Sequence, residues 1–195
     1  NKMEIILASK SGVRKQILEN NNIECKVVVS NVDEEQIKDS LIAEGANPEI
    51  ISKNLAELKS IKVSKKHNDR IVLGADSVVS LNNKIINKPK TRKEGLEILK
   101  KLNGTSHNLI SSVCFSRNGS MIWNYTDTSE LKMKKLSDVD LENYLKKIKT
   151  DTLLAYGVYQ VESDGLDLFE NIKGDMDSIM GLPVKKILEY LKELK

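Results

Sequence analysis

The chain has 195 residues, of which 39% are apolar and 30% charged, and this balance suits one globular domain with a buried core. Its 31 basic and 28 acidic residues leave a net charge of +3. This charge is too small to attract the whole chain to nucleic acid or an anionic membrane, so any anion site must be local. No apolar run could span a bilayer or serve as a signal peptide. With Cys25 and Cys114 in apolar runs and without metal-ligand spacing, we expect free thiols in a reducing cytoplasm.

The first third of the chain predicts two strands and two helices. A buried strand is predicted at Ile5 to Ala8, and a helix follows it. The second strand is predicted at Cys25 to Val29, and the acidic stretch "SNVDEEQIKDS", residues 30–40, is predicted to be a polar loop. Asn47-Pro48 then opens a helix whose apolar residues recur every three or four positions.

The rest of the chain alternates hairpins with helices. Asn82-Asn83 and Asn118-Gly119 each separate two β-type runs, so each predicts a hairpin turn. Thr91 and Ser137 are predicted to cap helices, and the tail from Val184 to Leu194 is an amphipathic helix. This order favours an α/β fold with a mixed sheet in one continuous domain.

The turn after the first strand has the composition of an anion cradle. Ser9 and Ser11 offer hydroxyls, Gly12 permits close backbone approach, and the following helix directs free N–H groups toward the turn. Arg14 and Lys15 add positive charge. The alternative is that Ser11 is only a helix cap and the two cations are solvated.

Asp76 interrupts an apolar strand in "VLGADSVV", and a carboxylate there is costly unless it is paired, bound to metal or facing a cleft. Its alternative role is to bond nearby backbone in a bulge. If a carboxylate of the Asp33–Glu35 run meets Asp76, the pair could hold a hard divalent ion such as Mg²⁺. Lys59 and Lys88 could then neutralise phosphate. Otherwise the acidic run is a solvated surface.

Several linked motifs resemble the Maf family, also called septum-formation or Maf-like proteins, nearly from end to end. "LASKSGVR" is similar to the family pattern L-A-S-x-S-P-R-R, with Gly12 in place of the proline and Val13 in place of the first arginine. The acidic "VDE", "NLAELKSIK", "VLGADSVV", "NKP", "LNGTSHNLISSV" and "IMGLP" follow in the family's order. Ser77 and Ser111 stand where the family has threonines.

The resemblance implies a two-lobed α/β fold with an elongated mixed sheet flanked by helices, related to the inosine triphosphatase-like enzymes. The lobes of this single domain, residues 1–195, are expected to enclose a nucleotide cleft. The implied activity is hydrolysis of the bond between the α- and β-phosphates of a nucleoside triphosphate, with Mg²⁺ or Mn²⁺, in a cytoplasmic homodimer without nucleic-acid or membrane partners. The implied catalytic residues are Asp76, Glu34 and Lys59, of which Asp76 and Glu34 are also the metal ligands. The implied substrate-binding residues are Ser9, Ser11, Gly12, Arg14, Lys88, Ser77, Ser111 and Glu162.

Glu162 bears on the choice of base. The alignment that keeps the family's spacing to "KGD" puts Glu162 where much of the family has glutamine, whereas an alignment through Gln160 needs a three-residue insertion. An ionised glutamate only accepts hydrogen bonds, which suits the donors of guanine or a cationic 7-methylguanine better than uracil or thymine. We therefore favour 7-methyl-GTP, with a UTP- or dTTP-preferring enzyme as the alternative.

Two other classes of protein compete with this interpretation. The replaced arginine, proline and threonines would suit a nucleotide-binding module without turnover. A nucleic-acid-binding protein is disfavoured because aromatic residues are few and lysines are interleaved with glutamates.

Overall fold

The structure is a computed structural model that describes residues 3–194, so positions 1, 2 and 195 of the predicted domain lie outside the described residues. The strands are Met3–Leu7 (β1), Ile23–Val27 (β2), Val72–Leu81 (β3), Lys84–Ile86 (β4), Ser106–Arg117 (β5), Ser120–Met133 (β6) and Phe169–Lys173 (β7). The helices are Gly12–Asn20 (α1), Glu34–Ala43 (α2), Pro48–Ser64 (α3), Arg92–Leu102 (α4), Asp138–Lys146 (α5), Thr150–Tyr156 (α6), Met176–Ile179 (α7) and Val184–Glu193 (α8), with a 3₁₀ helix at Asp164–Leu168.

Within residues 3–194 the strands form one seven-stranded mixed sheet. Its order is β2-β1-β3-β5-β6-β7, and β4 pairs with β3. Strand β1 is parallel to both β2 and β3, whereas β4 and β7 pair antiparallel with β3 and β6. The predicted α/β fold with a mixed sheet and flanking helices is therefore confirmed.

The chain divides into two compact units. Unit 1 contains the described residues up to Ser77, Ile110–Thr128 and the residues from Asp175 onward; unit 2 contains Val78–Leu109 and Ser129–Gly174. None of the helices in the described range 3–194 is long and apolar enough to cross a membrane.

The core of unit 1 lies on both faces of β1. Ile5 and Leu7 pack in one apolar cluster with residues of α1, β3, β5 and α8. Ile6 and Ala8 pack in a second cluster with Val63 of α3. A strand covered on both faces has no polar alternation, and this explains why the continuous run "IILA" marks it in the sequence.

Unit 2 contains a helical cluster and a small aromatic cluster. Arg92 of α4 donates to the carbonyls of Leu145 and Ile148 at the end of α5, at 2.6 and 3.0 Å. His107 is buried, its Nε2 lies 2.8 Å from Tyr159 Oη, and both rings contact Phe169. Burial lowers the pKa of His107 to about 4, which fits a structural, uncharged histidine.

Most short-range predictions are confirmed. Asn47, Thr91 and Ser137 accept a backbone hydrogen bond from the third residue after them, as N-caps do. The predicted hairpin turns contain Asn82, Asn83, Asn118 and Gly119, all with positive φ. The cysteines are free; Cys114 is buried, and Cys25 is only partly buried.

The prediction of a loop at residues 30–40 is wrong, because α2 begins at Glu34. Asp33 caps this helix, and Glu34 and Glu35 in its first turn face the positive end of the helix dipole. No residue of α2 is buried, so its apolar stripe is too weak to be visible in the sequence. The sequence also did not predict α6, the 3₁₀ helix, β7 or α7, which are short.

Candidate active site

Asp76 is a buried carboxylate on β3. The residue is only 8% exposed. Its Oδ1 accepts a hydrogen bond from Lys59 Nζ at 3.3 Å, and its Oδ2 has no hydrogen-bond partner among the described residues. Burial raises the pKa of Asp76, and the positive charges of Lys59 and Arg14 offset this only in part. Asp76 is therefore a stronger base than an ordinary aspartate, with one oxygen still able to accept a proton.

Lys59 of α3 holds two carboxylates together. Its Nζ lies 2.6 Å from Glu34 Oε1, 3.0 Å from the carbonyl oxygen of Ala75 and 3.3 Å from Asp76 Oδ1. An ammonium group has three N–H donors, and each finds an acceptor here. Lys59 is buried while Glu34 is about half-exposed, so the cluster extends from the interior to the surface.

Gly74 allows α3 to approach β3 closely enough for these contacts. A Cβ atom at Gly74 would lie 2.2 Å from the carbonyl oxygen of Ala56, which is a backbone atom of α3. Ser52 of the same helix donates from Oγ to the carbonyl of Asp76 at 3.0 Å. The glycine of "LGAD" is thus required by packing, and it positions Lys59 beside Asp76.

Arg14 of α1 is held by three acceptors. Its Nε donates to the carbonyl of Gly181 at 2.9 Å, Nη1 to Ser9 Oγ at 3.2 Å, and Nη2 to Ser77 Oγ at 3.1 Å. Because the guanidinium group is planar and rigid, three contacts in different directions fix its orientation. Ser77 follows Asp76 on β3, where consecutive side chains point to opposite faces of the sheet, and the positive charge of Arg14 still lowers the pKa of Asp76.

Ser11 and Gly12 occupy the turn between β1 and α1. Ser11 Oγ accepts from the backbone N–H of Arg14 at 3.1 Å, so the helix-cap role considered for it is observed. A Cβ atom at Gly12 would have nothing within 4 Å, so the fold itself does not require glycine there. Lys15 pairs with Glu19 along the exposed side of α1, which agrees with the alternative that this cation is solvated. Whether the turn binds phosphate stays a prediction.

Ser111 of β5 lies in the interior. It is 0% exposed, its Oγ donates to the carbonyl of Ser178 at 2.7 Å, and Ser77 Oγ lies 2.9 Å from it. Its hydroxyl is therefore used within unit 1, which does not favour a direct contact with substrate.

Nine of the eleven predicted site residues belong to unit 1: Ser9, Ser11, Gly12, Arg14, Glu34, Lys59, Asp76, Ser77 and Ser111. Lys88 and Glu162 belong to unit 2, where both are exposed, and their roles stay predictions. Sequence reasoning assigned no role to Gly181 and Ser178, whose carbonyls accept from Arg14 and Ser111. The motif "IMGLP" marks the position of Gly181, which has a φ of +121°, whereas Ser178 lies just before the motif.

The donor set of the cluster fits a hard divalent cation. Glu34 and Asp76 offer carboxylate oxygens, and Asp76 Oδ2 is a buried acceptor without a partner. In the part of the chain that the structure describes, no group of three or more His, Cys, Asp or Glu could hold a metal ion. Two carboxylates agree with Mg²⁺, which usually keeps water and substrate phosphate among its ligands.

Comparison with known proteins identifies relatives over almost the whole chain. The model of the family described as "Maf-like protein" matches residues 4–194, and this confirms the resemblance seen in the motifs. A Pelagibacter ubique protein called nucleoside triphosphate pyrophosphatase is 64% identical, covering 98% of each chain. A Rhizobium meliloti protein called 7-methyl-GTP pyrophosphatase is 34% identical, covering 97% of this chain and 96% of that one. The solved structure of a Mycobacterium abscessus dITP/XTP pyrophosphatase aligns with 10% identity and a TM-score of 0.43, covering 97% and 94% of the two chains.

Proposed function

Because the chain belongs to the Maf-like protein family, we propose that it is a nucleoside triphosphate pyrophosphatase. It hydrolyses the bond between the α- and β-phosphates and releases a nucleoside monophosphate and pyrophosphate. The observation that carries this proposal is the adjacency on β3 of the buried Asp76 and of Ser77, which binds the fixed Arg14. The 64% identical relative bears the name of this activity, and this supports the proposal.

Asp76 acts as the base for the attacking water. The proton goes to Oδ2, which has no other partner among the described residues, while Lys59 holds Oδ1. Because the pKa of Asp76 is raised, its ionised form binds a proton more strongly than an exposed carboxylate does. Positioning and electrostatics supply most of the catalysis of phosphoryl transfer, so the geometry of this carboxylate matters more than covalent chemistry.

The cations have separate tasks. Arg14, with its guanidinium already oriented, grips the phosphate chain together with Ser9 and the backbone N–H groups at the start of α1. Lys59 has its three donors engaged by protein acceptors, so its task is to keep Glu34 and Asp76 together. Lys88 of unit 2 is proposed to neutralise the remaining phosphate charge, and only its motif supports this role.

Glu34 and Asp76 would hold the divalent metal, Mg²⁺ or Mn²⁺, and the bound ion would supply positive charge next to the phosphates. The support for this assignment is the carboxylate pair, since Glu34 Oε1 and Asp76 Oδ1 lie 2.6 and 3.3 Å from the same Lys59 Nζ.

Glu162 is assigned to the base of the nucleotide, with 7-methyl-GTP favoured. The segment that carries it is anchored on one side, because Tyr144 Oη donates to the carbonyl of Val158 at 2.9 Å. Glu162 itself is exposed and can accept hydrogen bonds from a ligand. We expect Glu162→Gln to shift the ranking of substrates from 7-methyl-GTP toward UTP and dTTP in a pyrophosphate-release assay. An unchanged ranking would show that Glu162 does not read the base.

The same proposal includes a cytoplasmic homodimer without nucleic-acid or membrane partners. The free thiols fit a reducing compartment, and the charge of +3 gives no general attraction to polyanions. The dimer rests on the family resemblance, and light scattering on the purified chain tests it.

The activity is tested with a panel of natural and modified triphosphates, each assayed with Mg²⁺, with Mn²⁺ and with a chelator. We expect metal-dependent release of monophosphate and pyrophosphate, which Asp76→Asn abolishes. Asp69→Asn is the matched control, because Asp69 is an exposed aspartate of unit 1 whose positive φ asparagine also tolerates. Nucleotide binding without turnover would instead identify a binding module.

A further inference from the structure

A chain of hydrogen bonds connects Arg14 to a backbone carbonyl through two serines. Arg14 Nη2 lies 3.1 Å from Ser77 Oγ, Ser77 Oγ lies 2.9 Å from Ser111 Oγ, and Ser111 Oγ lies 2.7 Å from the carbonyl oxygen of Ser178. The four groups come from α1, β3, β5 and α7, so the fold assembles them from segments far apart in the sequence.

The direction of every bond in this chain is determined by chemistry. A carbonyl oxygen can only accept and a guanidinium group can only donate. The single O–H of Ser111 therefore goes to Ser178, and the O–H of Ser77 must go to Ser111. This leaves a lone pair of Ser77 Oγ directed to Arg14, so the Ser77 hydroxyl donates within the protein and not to substrate.

The end of α7 holds Arg14 from two sides. The carbonyl of Ser178 terminates the serine chain, and the carbonyl of Gly181, three residues later, accepts from Arg14 Nε at 2.9 Å. Asp175 caps this turn by accepting from the N–H of Ser178 at 3.0 Å. One short segment thus provides both backbone anchors of the guanidinium group.

We propose that Ser77, Ser111 and the carbonyl of Ser178 form a relay that positions Arg14 to bind the phosphate chain. Ser111 is a positioning residue, since it is 0% exposed and acts through Ser77 and Arg14. The inference rests on the proposed function and adds a role for Ser111 and Ser178 that direct substrate binding does not provide.

Ser111→Ala tests the relay, with Ser116→Ala as the matched control. Ser116 lies on the same strand, is also 0% exposed, and its Oγ also bonds one serine hydroxyl, that of Ser60, at 2.7 Å. Both variants lose one buried hydroxyl and should lose stability to a similar extent. Only Ser111→Ala should raise the KM for triphosphate, by roughly three- to tenfold, the value of one hydrogen bond.

Two further variants separate positioning from general damage. In an Arg14→Ala background, Ser111→Ala should change KM no further, while its effect on unfolding remains. Ser77→Ala should repeat the defect of Ser111→Ala, whereas Ser77→Thr keeps the hydroxyl and should have a lower KM than Ser77→Ala. If the double variant raised KM by the product of the factors of Arg14→Ala and Ser111→Ala, the two residues would act independently and the relay would be overturned. Equal KM values for Ser111→Ala and Ser116→Ala would also overturn it.

The affinity for inorganic pyrophosphate, measured by calorimetry, tests the relay in the absence of turnover. We expect Ser111→Ala to weaken this affinity by a similar factor and Ser116→Ala to leave it unchanged. A wild-type chain that releases no pyrophosphate from any triphosphate would overturn the proposed function. A Ser111→Ala variant with wild-type pyrophosphate affinity would overturn the relay.

Discussion

Replacing Gly74 with alanine should separate Lys59 from the carboxylate that it holds. The new Cβ would lie 2.2 Å from the carbonyl oxygen of Ala56 and 2.9 Å from the backbone nitrogen of Ser60, both in α3. Since ordinary van der Waals contact begins near 3.4 Å, α3 would have to retreat from β3 by about 1 Å. The Lys59–Asp76 distance of 3.3 Å would then exceed hydrogen-bonding range.

The expected size of the effect follows from this displacement. Overpacking of a close interior contact costs about 1–3 kcal/mol of unfolding free energy. A misplacement of about 1 Å near the reacting groups can cost about 10²-fold in rate. Urea unfolding and steady-state pyrophosphate release measure the two effects on the same preparation.

Gly95→Ala is the control for this experiment. Gly95 is a buried glycine of α4 in unit 2, and its Cβ would meet side-chain tips that can shift, those of Leu153 at 3.3 Å and of Leu145 at 3.6 Å. Alanine also favours the helix, so this variant should unfold and turn over like the wild type. If Gly74→Ala also retained wild-type kcat and unfolding free energy, the close approach of α3 would not be what positions Lys59.

The remaining predictions concern pH. Burial raises the pKa of Asp76, which means that its ionised form destabilises the fold; in metal-free protein Asp76→Asn should therefore be more stable than the wild type at neutral pH. This difference in unfolding free energy should shrink as the pH falls and the wild-type carboxyl becomes neutral. Chemical unfolding at several pH values measures it, and an Asp76→Asn variant less stable than the wild type at neutral pH would refute the prediction. The pKa of His107 is lowered from 6.5 to about 4, so between these pH values the histidine is protonated in the unfolded chain and neutral in the folded chain. Unfolding free energy should fall by about 3 kcal/mol as pH decreases through this window, and a His107→Gln variant that kept the same slope would contradict the assignment.

Local features were predictable from the sequence because their causes lie within a few residues. An N-cap such as Thr91 needs only a side-chain oxygen and a free N–H three residues later, and the turn at Asn82-Asn83 needs residues that tolerate positive φ. Helix α2 was missed for the complementary reason, since it buries no residue and its acidic first turn resembles a loop.

The candidate site divides in the same way. The motifs around Asp76 and Arg14 indicated which residues carry chemistry, but not which oxygen or donor each one uses. Burial made the difference for Ser111, which the motif suggested as a substrate contact and the structure places inside, bonded to Ser77 and Ser178. Gly181 entered the site through its carbonyl, and a backbone atom has no sequence signature of its own.

By itself, the sequence determined the family, the residue types of the site and the short-range elements that carry them, because each depends on neighbouring residues or on linear motifs. Only the tertiary structure decided that Lys59 joins Glu34 to Asp76, and that Arg14 is fixed by a carbonyl 167 positions away. Such contacts depend on the order of strands in the sheet and on how closely a helix can approach them, which here is set by the missing side chain of Gly74.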